Sequence, residues 1–304
     1  MKQQYLSART ISSPQLVLLF SALFCLVACQ QIVPPSETVA TVAPEYGDAV
    51  DIGGQSIFLY CTGEGSPTVM LEAGLGGDHT TWTAVQAEVA KFTHVCSYDR
   101  VNAGTSERTP KVRTSADVVD ELHRLLSAAE IDGPLVLVAH SFGALHARLF
   151  AETYPEAVKG LVLVDPVHED WWKRAAALLP PERKDEGSVA ELRRYWQSEG
   201  GAPEENSERI DIAASLKQAR AARTPMTIPV IILTAGIPDL LPAGLPDDLY
   251  AALVHLLQTE LPADLATLSP NSMRLTVPNS GHDIPRSQPA VVVAAVKTLV
   301  ELKP

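Results

Sequence analysis

The run Leu135 to Ala139 is followed by His140-Ser141-Phe142-Gly143-Ala144 and then by apolar residues at helical spacing. Small residues at 139 and 143 around a central serine form a small-x-Ser-x-small pattern, a variant of G-x-S-x-G with Ala139 in the first small position. A serine at a sharp strand-to-helix turn needs such neighbours, because its own backbone is strained and the following helix packs close. The chemistry this predicts is nucleophilic attack by the Ser141 hydroxyl. A serine is weak on its own, so it needs a histidine to take its proton and a carboxylate to hold the histidine.

The elements that must position these groups are legible. Ala49 to Ile52, Gly53-Gly54 and Gln55 to Cys61 read as a hairpin, since paired glycines supply the positive φ of a tight turn. Thr68 to Glu72, His94 to Tyr98, Leu135 to Ala139, Leu161 to Val164, Val230 to Thr234 and Arg274 to Val277 are predicted strands, mostly apolar throughout, as for parallel strands covered on both faces. Helical patterns over Thr81 to Lys91, Ser115 to Ala129, Phe142 to Tyr154 and Pro289 to Leu302 alternate with them. The expected fold class is α/β: a mostly parallel, doubly wound sheet opened by an antiparallel hairpin. Residues 167 to 225 break the alternation. They are charged and contain Trp171, Trp172, Tyr195 and Trp196, and are predicted to form a helical cap over the carboxyl edge of the sheet, with the three Trp side chains lining a pocket or packing the cap onto the core.

With these elements in place, residues 47 to 302 resemble the α/β-hydrolase superfamily, which carries serine, acid and histidine in that chain order. The resemblance implies roles for further residues. Ala73-Gly74-Leu75-Gly76-Gly77 looks like the family's oxyanion turn without its usual histidine, so the backbone N–H groups of Leu75 and Phe142 would stabilise a tetrahedral oxyanion. Asn279-Ser280-Gly281-His282-Asp283, after the last strand, occupies the place of the catalytic base. Of the other histidines, His140 is expected to point away from the site, His146 and His255 sit in helical segments, and His79 follows the oxyanion turn. Gly236-Ile237-Pro238-Asp239 fits the family's Gly-x-x-Asp and makes Asp239 the expected acid; Asp165, at the end of the preceding strand, is the alternative that some relatives use. Tyr98-Asp99-Arg100 with Gly104-Thr105-Ser106 resembles an architectural loop of the family, departing from it at Asn102 and Ala103, so Asp99 and Arg100 stay outside the catalytic set. The family's strand order makes the strands of Cys61 and Cys96 neighbours, and a disulfide between them would suit an oxidising compartment.

The chain has 304 residues, 46% hydrophobic and 20% charged, with 24 Lys plus Arg against 36 Asp plus Glu and a formal net charge of −12. That balance would repel a phosphate backbone, and no basic run offers an exception, so nucleic-acid binding is excluded. The apolar fraction excludes disorder and fibrous repeats. No C-x-x-C, H-E-x-x-H or G-x-x-x-x-G-K-[ST] occurs, so no metal or cofactor is expected.

Lys2 and Arg9 precede the apolar run Leu16 to Ala28, which is short for a membrane span and reads as a cleavable export signal. Leu26-Val27-Ala28-Cys29 resembles the lipobox of bacterial lipoproteins, which implies that Cys29 is acylated and becomes the mature N-terminus. Gln30, in place of Asp, would permit outer-membrane sorting. Residues 30 to 44, rich in Pro, Ser and Thr, read as a tether. Loss of residues 1–28 removes two cations and no acid, so the net charge becomes −14 and the anchor would be lipid rather than a basic patch. The expected organisation is signal 1–28, lipidated Cys29 with tether to 44, and a hydrolase domain over 45–304. The expected activity is hydrolysis of a small or lipid-like carboxylic ester through an acyl-enzyme. Epoxide hydrolases and haloalkane dehalogenases of the same fold place Asp where Ser141 stands. An acyltransferase, an aminopeptidase or a catalytically silent binding lipoprotein of this fold are the alternative readings.

Overall fold

A computed structural model of the chain describes residues 47–182 and 188–302. The signal, Cys29 and the tether lie outside the described residues.

The described residues contain eight strands: β1 (Asp48–Asp51), β2 (Ser56–Thr62), β3 (Val69–Glu72), β4 (Val95–Tyr98), β5 (Leu135–His140), β6 (Val158–Val164), β7 (Val230–Ala235) and β8 (Ser272–Val277). They form one sheet in the order β1-β2-β4-β3-β5-β6-β7-β8. β1 and β2 pair antiparallel, as do β2 and β4, and the remaining pairs are parallel. The hairpin is therefore where it was expected, and β3 to β7 are fully or largely buried. Every strand of the central five is covered on both faces, which is why its sequence is almost continuously apolar.

Among the described residues, ten α-helices accompany the sheet: α1 (Thr83–Val89), α2 (Ser115–Ala128), α3 (Gly143–Thr153), α4 (Trp171–Leu178), α5 (Ser188–Gln197), α6 (Ile212–Ala221), α7 (Asp247–His255), α8 (Leu261–Leu265), α9 (Ile284–Ser287) and α10 (Pro289–Glu301). On one face, Val119, Leu122 and Leu125 of α2 and Ala144, Ala147 and Phe150 of α3 pack with Met70, Leu137 and Leu161 of the sheet. On the other, Val85 and Val89 of α1 and Val292, Val296 and Leu299 of α10 pack with Leu71, Val138 and Val162. Side chains alternate across a strand, so neighbouring residues of β3, β5 and β6 serve opposite cores. A third cluster, holding Phe142, Leu145, Trp172, Trp196, Leu216 and Leu253, joins the cap to the sheet's carboxyl edge. The cap contains α4, α5 and α6. A second helical segment, α7 to α8 through the π-helical turn Leu256–Glu260, lies between β7 and β8 and packs against α4.

Cys61 and Cys96 stand directly opposite one another in the antiparallel β2–β4 register and are joined by a disulfide. No helix among the described residues is long and apolar enough to cross a membrane.

Candidate active site

Ser141 lies between the last residue of β5 and the first of α3 with φ at +53°, in the left-handed region that a non-glycine residue enters only where the surroundings force it. Two contacts enforce the elbow: the Ser141 N–H donates to the Val164 carbonyl at 3.0 Å, and the Ser141 carbonyl accepts the Val167 N–H at 3.0 Å. Gly143 permits it. A Cβ there would sit 2.4 Å from the Ala73 carbonyl oxygen, so α3 can start this close to the end of β3 only without a side chain.

The His282 loop follows β8 and folds back across the sheet edge. Ser141 Oγ donates to His282 Nε2 at 2.9 Å, and His282 Nδ1 donates to Asp165 Oδ2 at 2.6 Å. The three side chains form a continuous hydrogen-bonded chain, each partly exposed. The second Asp165 oxygen accepts the Ala235 N–H at 2.8 Å, which fixes the carboxylate. Asp165 also has positive φ, +41°.

The expectation that Asp239 contacts the imidazole is corrected by this geometry. Asp239 Oδ1 instead accepts the backbone N–H of His282 at 2.9 Å, and its other oxygen lies against the Gly281 Cα. The reason is topological. β6 lies beside β5, so a residue ending β6 is one strand spacing, about 4.8 Å, from the line of the nucleophile. Asp239 lies four residues beyond β7, one strand further out, and reaches the loop rather than the ring.

A second correction concerns His140. Its ring does not point away from the site: it lies 4.6 Å, centroid to centroid, from that of His282, and its Nε2–H donates to the His282 carbonyl at 2.9 Å. Burial lowers its pKa to about 4, so it is a neutral donor at pH 7. His282 is thus held through its ring by Asp165, through its N–H by Asp239 and through its carbonyl by His140.

The turn after β3 approaches Ser141 closely, since a Cβ on Gly74 would lie 3.1 Å from the Ser141 Cβ. Gly77 N–H closes the turn onto the Gly74 carbonyl at 3.0 Å. Leu75 thus follows the glycine that meets Ser141 on one side, and Phe142 adjoins Ser141 in the chain on the other.

A cavity of about 300 Å³ opens beside Asp165 and His282. Its walls include Trp171, Trp172 and Trp196 of the cap and Ile237, Leu241 and Leu261 from the β7–β8 segment. Trp172 and Trp196 also belong to the buried cluster beneath the cap, so they line the cavity and pack at once. Among the described residues no Lys or Arg lines it, whereas Asp165 and Asp239 do.

Sequence reasoning passed over the ion network that seats the cap. Glu169 is fully buried, receives both Arg148 Nη atoms at 2.7 and 3.1 Å, and takes Arg223 at 3.0 Å, tying α3 to the cap's first turn and to the segment after α6. Although burial opposes its charge, the Arg148 contacts bring its pKa down to about 2. No local motif marks such a network, because its members lie 21 and 54 residues apart. Among the described residues, two clusters have metal-ligand types. In Cys61, His94 and Cys96 the sulfurs are bonded to each other, and in Asp78, His79 and Asp99 the Asp99 oxygens are engaged by His79 and Thr105.

Comparison with known proteins agrees with this architecture. The uncharacterized protein YqjL of Bacillus subtilis is 34% identical over 108 residues, 36% of this chain and 43% of YqjL. RutD of Cronobacter sakazakii, provisionally described as a carbamate hydrolase, is 36% identical over 102 residues, 33% of this chain and 38% of RutD. The chain thus matches less than half the length of either relative. Among solved structures, a thermophilic esterase of Thermogutta terrifontis superposes with a TM-score of 0.55 at 21% identity, covering 84% of this chain and 97% of that one. Cfl2 of Burkholderia cenocepacia gives 0.59 at 20% identity, covering 84% and 95%. The family model described as the alpha/beta hydrolase family matches residues 69–295, from β3 through most of α10. With the sheet order, the elbow at Ser141 and that match in agreement, the chain belongs to the alpha/beta hydrolase family.

Proposed function

We propose that this protein is a serine hydrolase that cleaves uncharged carboxylic esters through an acyl-enzyme on Ser141, with Asp165 as the triad acid. The observation that carries the reading is the His282 imidazole bridging Ser141 Oγ at 2.9 Å and Asp165 Oδ2 at 2.6 Å. As Ser141 Oγ attacks the ester carbonyl carbon, its proton passes to His282 Nε2, and Asp165 holds the resulting imidazolium. The carbonyl oxygen becomes an oxyanion facing the N–H groups of Leu75 and Phe142, each such donor being worth about 3 kcal/mol. Collapse breaks the bond to the alkoxy oxygen, which takes the proton from Nε2 and leaves as an alcohol. Water then attacks the acyl-enzyme by the same route, giving its proton to Nε2, and the carboxylic acid is released with Ser141 restored.

The cavity supports an uncharged substrate. Its aromatic and aliphatic walls favour apolar groups, and the Asp165 and Asp239 carboxylates among its lining residues disfavour anions. The named activities of the carbamate hydrolase and esterase relatives are of the same acyl-transfer type.

The N-terminal sequence extends the proposal to an exported lipoprotein, acylated at Cys29 and tethered to the outer membrane. Cys29→Ser is expected to move the protein from the detergent-soluble membrane fraction to the soluble fraction.

The decisive test is labelling by a fluorophosphonate, together with turnover of p-nitrophenyl esters of graded chain length. Labelling that is lost in Ser141→Ala, with turnover lost in parallel, is the expected result. A folded parent protein that neither labels at Ser141 nor hydrolyses any ester in the series would overturn the reading.

A further inference from the structure

Arg100 belongs to the loop after β4, and Glu208 of the cap belongs to no motif. Both are buried, at 2% and 0% exposure, and together they grip the turn that adjoins Ser141. Arg100 Nη2 donates to the Gly74 carbonyl at 2.6 Å, and Nη1 donates to the Ala73 carbonyl at 2.7 Å and to Glu72. Glu208 Oε1 accepts Arg100 Nη2 at 2.6 Å and Oε2 accepts Nε at 2.8 Å, a two-point fork in which both carboxylate oxygens are used. Oε1 also accepts the Gly76 backbone N–H at 2.6 Å.

These contacts act on the peptide that carries the Leu75 N–H and on the one that follows it. The Gly74 carbonyl and the Leu75 N–H belong to one planar trans peptide and lie on opposite sides of it, so fixing the oxygen fixes the direction of the N–H. Residues Gly74 to Gly77 form a β-turn with φ at +73° on its third residue, the value that a type II turn requires there. Type I and type II turns differ by a flip of the central peptide, here Leu75–Gly76. Glu208 accepts the N–H of that peptide, so it holds the flipped form.

We infer that Arg100 and Glu208 are positioning residues of the oxyanion hole, and that Glu208, supplied by the cap, makes the Leu75 donor depend on the cap being seated. The inference rests on the serine-hydrolase reading above. Glu208 lies between α5 and α6, far in sequence from the turn, and moving the cap away would break its three bonds to Arg100 and Gly76 together. The oxyanion hole would then form fully only under a closed cap, coupling donor alignment to enclosure of the substrate.

The test compares Glu208→Gln, Glu208→Ala and Arg100→Lys with the parent in full-length protein, after thermal unfolding has verified that each is folded. An interaction realised mainly in the transition state lowers kcat with little change in KM. Removing one oxyanion donor outright costs about 100- to 1000-fold, so misaligning it in Glu208→Ala or Arg100→Lys should cost about 30- to 100-fold in kcat, and Glu208→Gln about 10-fold. Affinity for a trifluoromethyl ketone, which adds Ser141 and places an oxyanion in the hole, should fall in the same proportion. Destabilisation alone would lower the unfolding temperature without moving kcat and the ketone affinity together. Glu208→Gln keeps the side-chain shape and an acceptor for Gly76, so it decides the matter if the other two fail to fold. Values of kcat and ketone affinity within twofold of the parent, or a loss confined to KM, would overturn the inference. Failure of the parent to label or turn over would instead overturn the hydrolase reading.

Discussion

Asp239 holds the backbone of His282 rather than its ring, its Oδ1 accepting the His282 N–H at 2.9 Å. Two carboxylates thus serve one histidine in different ways, Asp165 on the imidazole and Asp239 on the peptide. Asp165→Asn is expected to lower kcat by about 10⁴-fold, because an amide cannot hold the tautomer that leaves Nε2 free to accept the serine proton. Asp239→Asn keeps an oxygen that can accept the same N–H, and should lower kcat about 10-fold or less. Steady-state kinetics on one ester distinguishes the two, and the reverse ranking would reject Asp165 as the acid.

His140 predicts how stability responds to mild acid. Its folded pKa, about 4, lies below the ordinary value of 6.5 because burial disfavours its charged form. Between those values the unfolded chain takes up a proton that the folded chain does not. His140 therefore favours unfolding progressively as pH falls from about 6.5 to 4, by up to about 3 kcal/mol. Urea unfolding at pH 7, 5.5 and 4.5 should show the decline, and it should be shallower in His140→Gln.

The Glu169 network predicts a different acid response. Its folded pKa of about 2 lies below the ordinary carboxylate value, so its stabilisation is complete above about pH 4.5 and is lost as pH falls towards 2. Glu169→Gln leaves Arg148 buried beside a neutral partner and should destabilise the protein by about 3 kcal/mol at pH 7. Because the pair joins α3 to the cap, partial proteolysis of the folded variant should cut first within residues 167 to 225.

The Cys61–Cys96 disulfide closes a separation of 35 residues, which on a chain-entropy basis contributes roughly 3 to 4 kcal/mol. It lies on the hairpin side of the sheet, on strands β2 and β4, away from Ser141. The Cys61→Ser, Cys96→Ser double variant should unfold at a lower temperature while its kcat stays within twofold of the parent. Mass measured after alkylation, with and without reduction, should differ by two thiols' worth of label.

The sequence alone determined what is local. Continuous apolar runs fixed β3 to β7, because strands covered on both faces leave no polar side to write into the chain. Ala139-x-Ser141-x-Gly143 marked the elbow, because a strained turn against a close-packed helix tolerates only small neighbours. The place of His282 and the Cys61–Cys96 pairing came instead from the resemblance to the α/β-hydrolase superfamily, through its motif order and its strand order.

Tertiary structure decided which distant groups meet. Asp165 directly follows β6 and Asp239 lies in the loop after β7, both carry the same carboxylate, and the local pattern favoured Asp239. The choice was made by strand order, which puts β6 and not β7 beside β5, and by the loop that brings His282 back over the sheet edge. The same holds for Glu208 with Arg100, 108 residues apart, and for Glu169 with Arg223. Buried charges are stable only when paired, but partners in such pairs obey no spacing rule, since only the fold determines their separation.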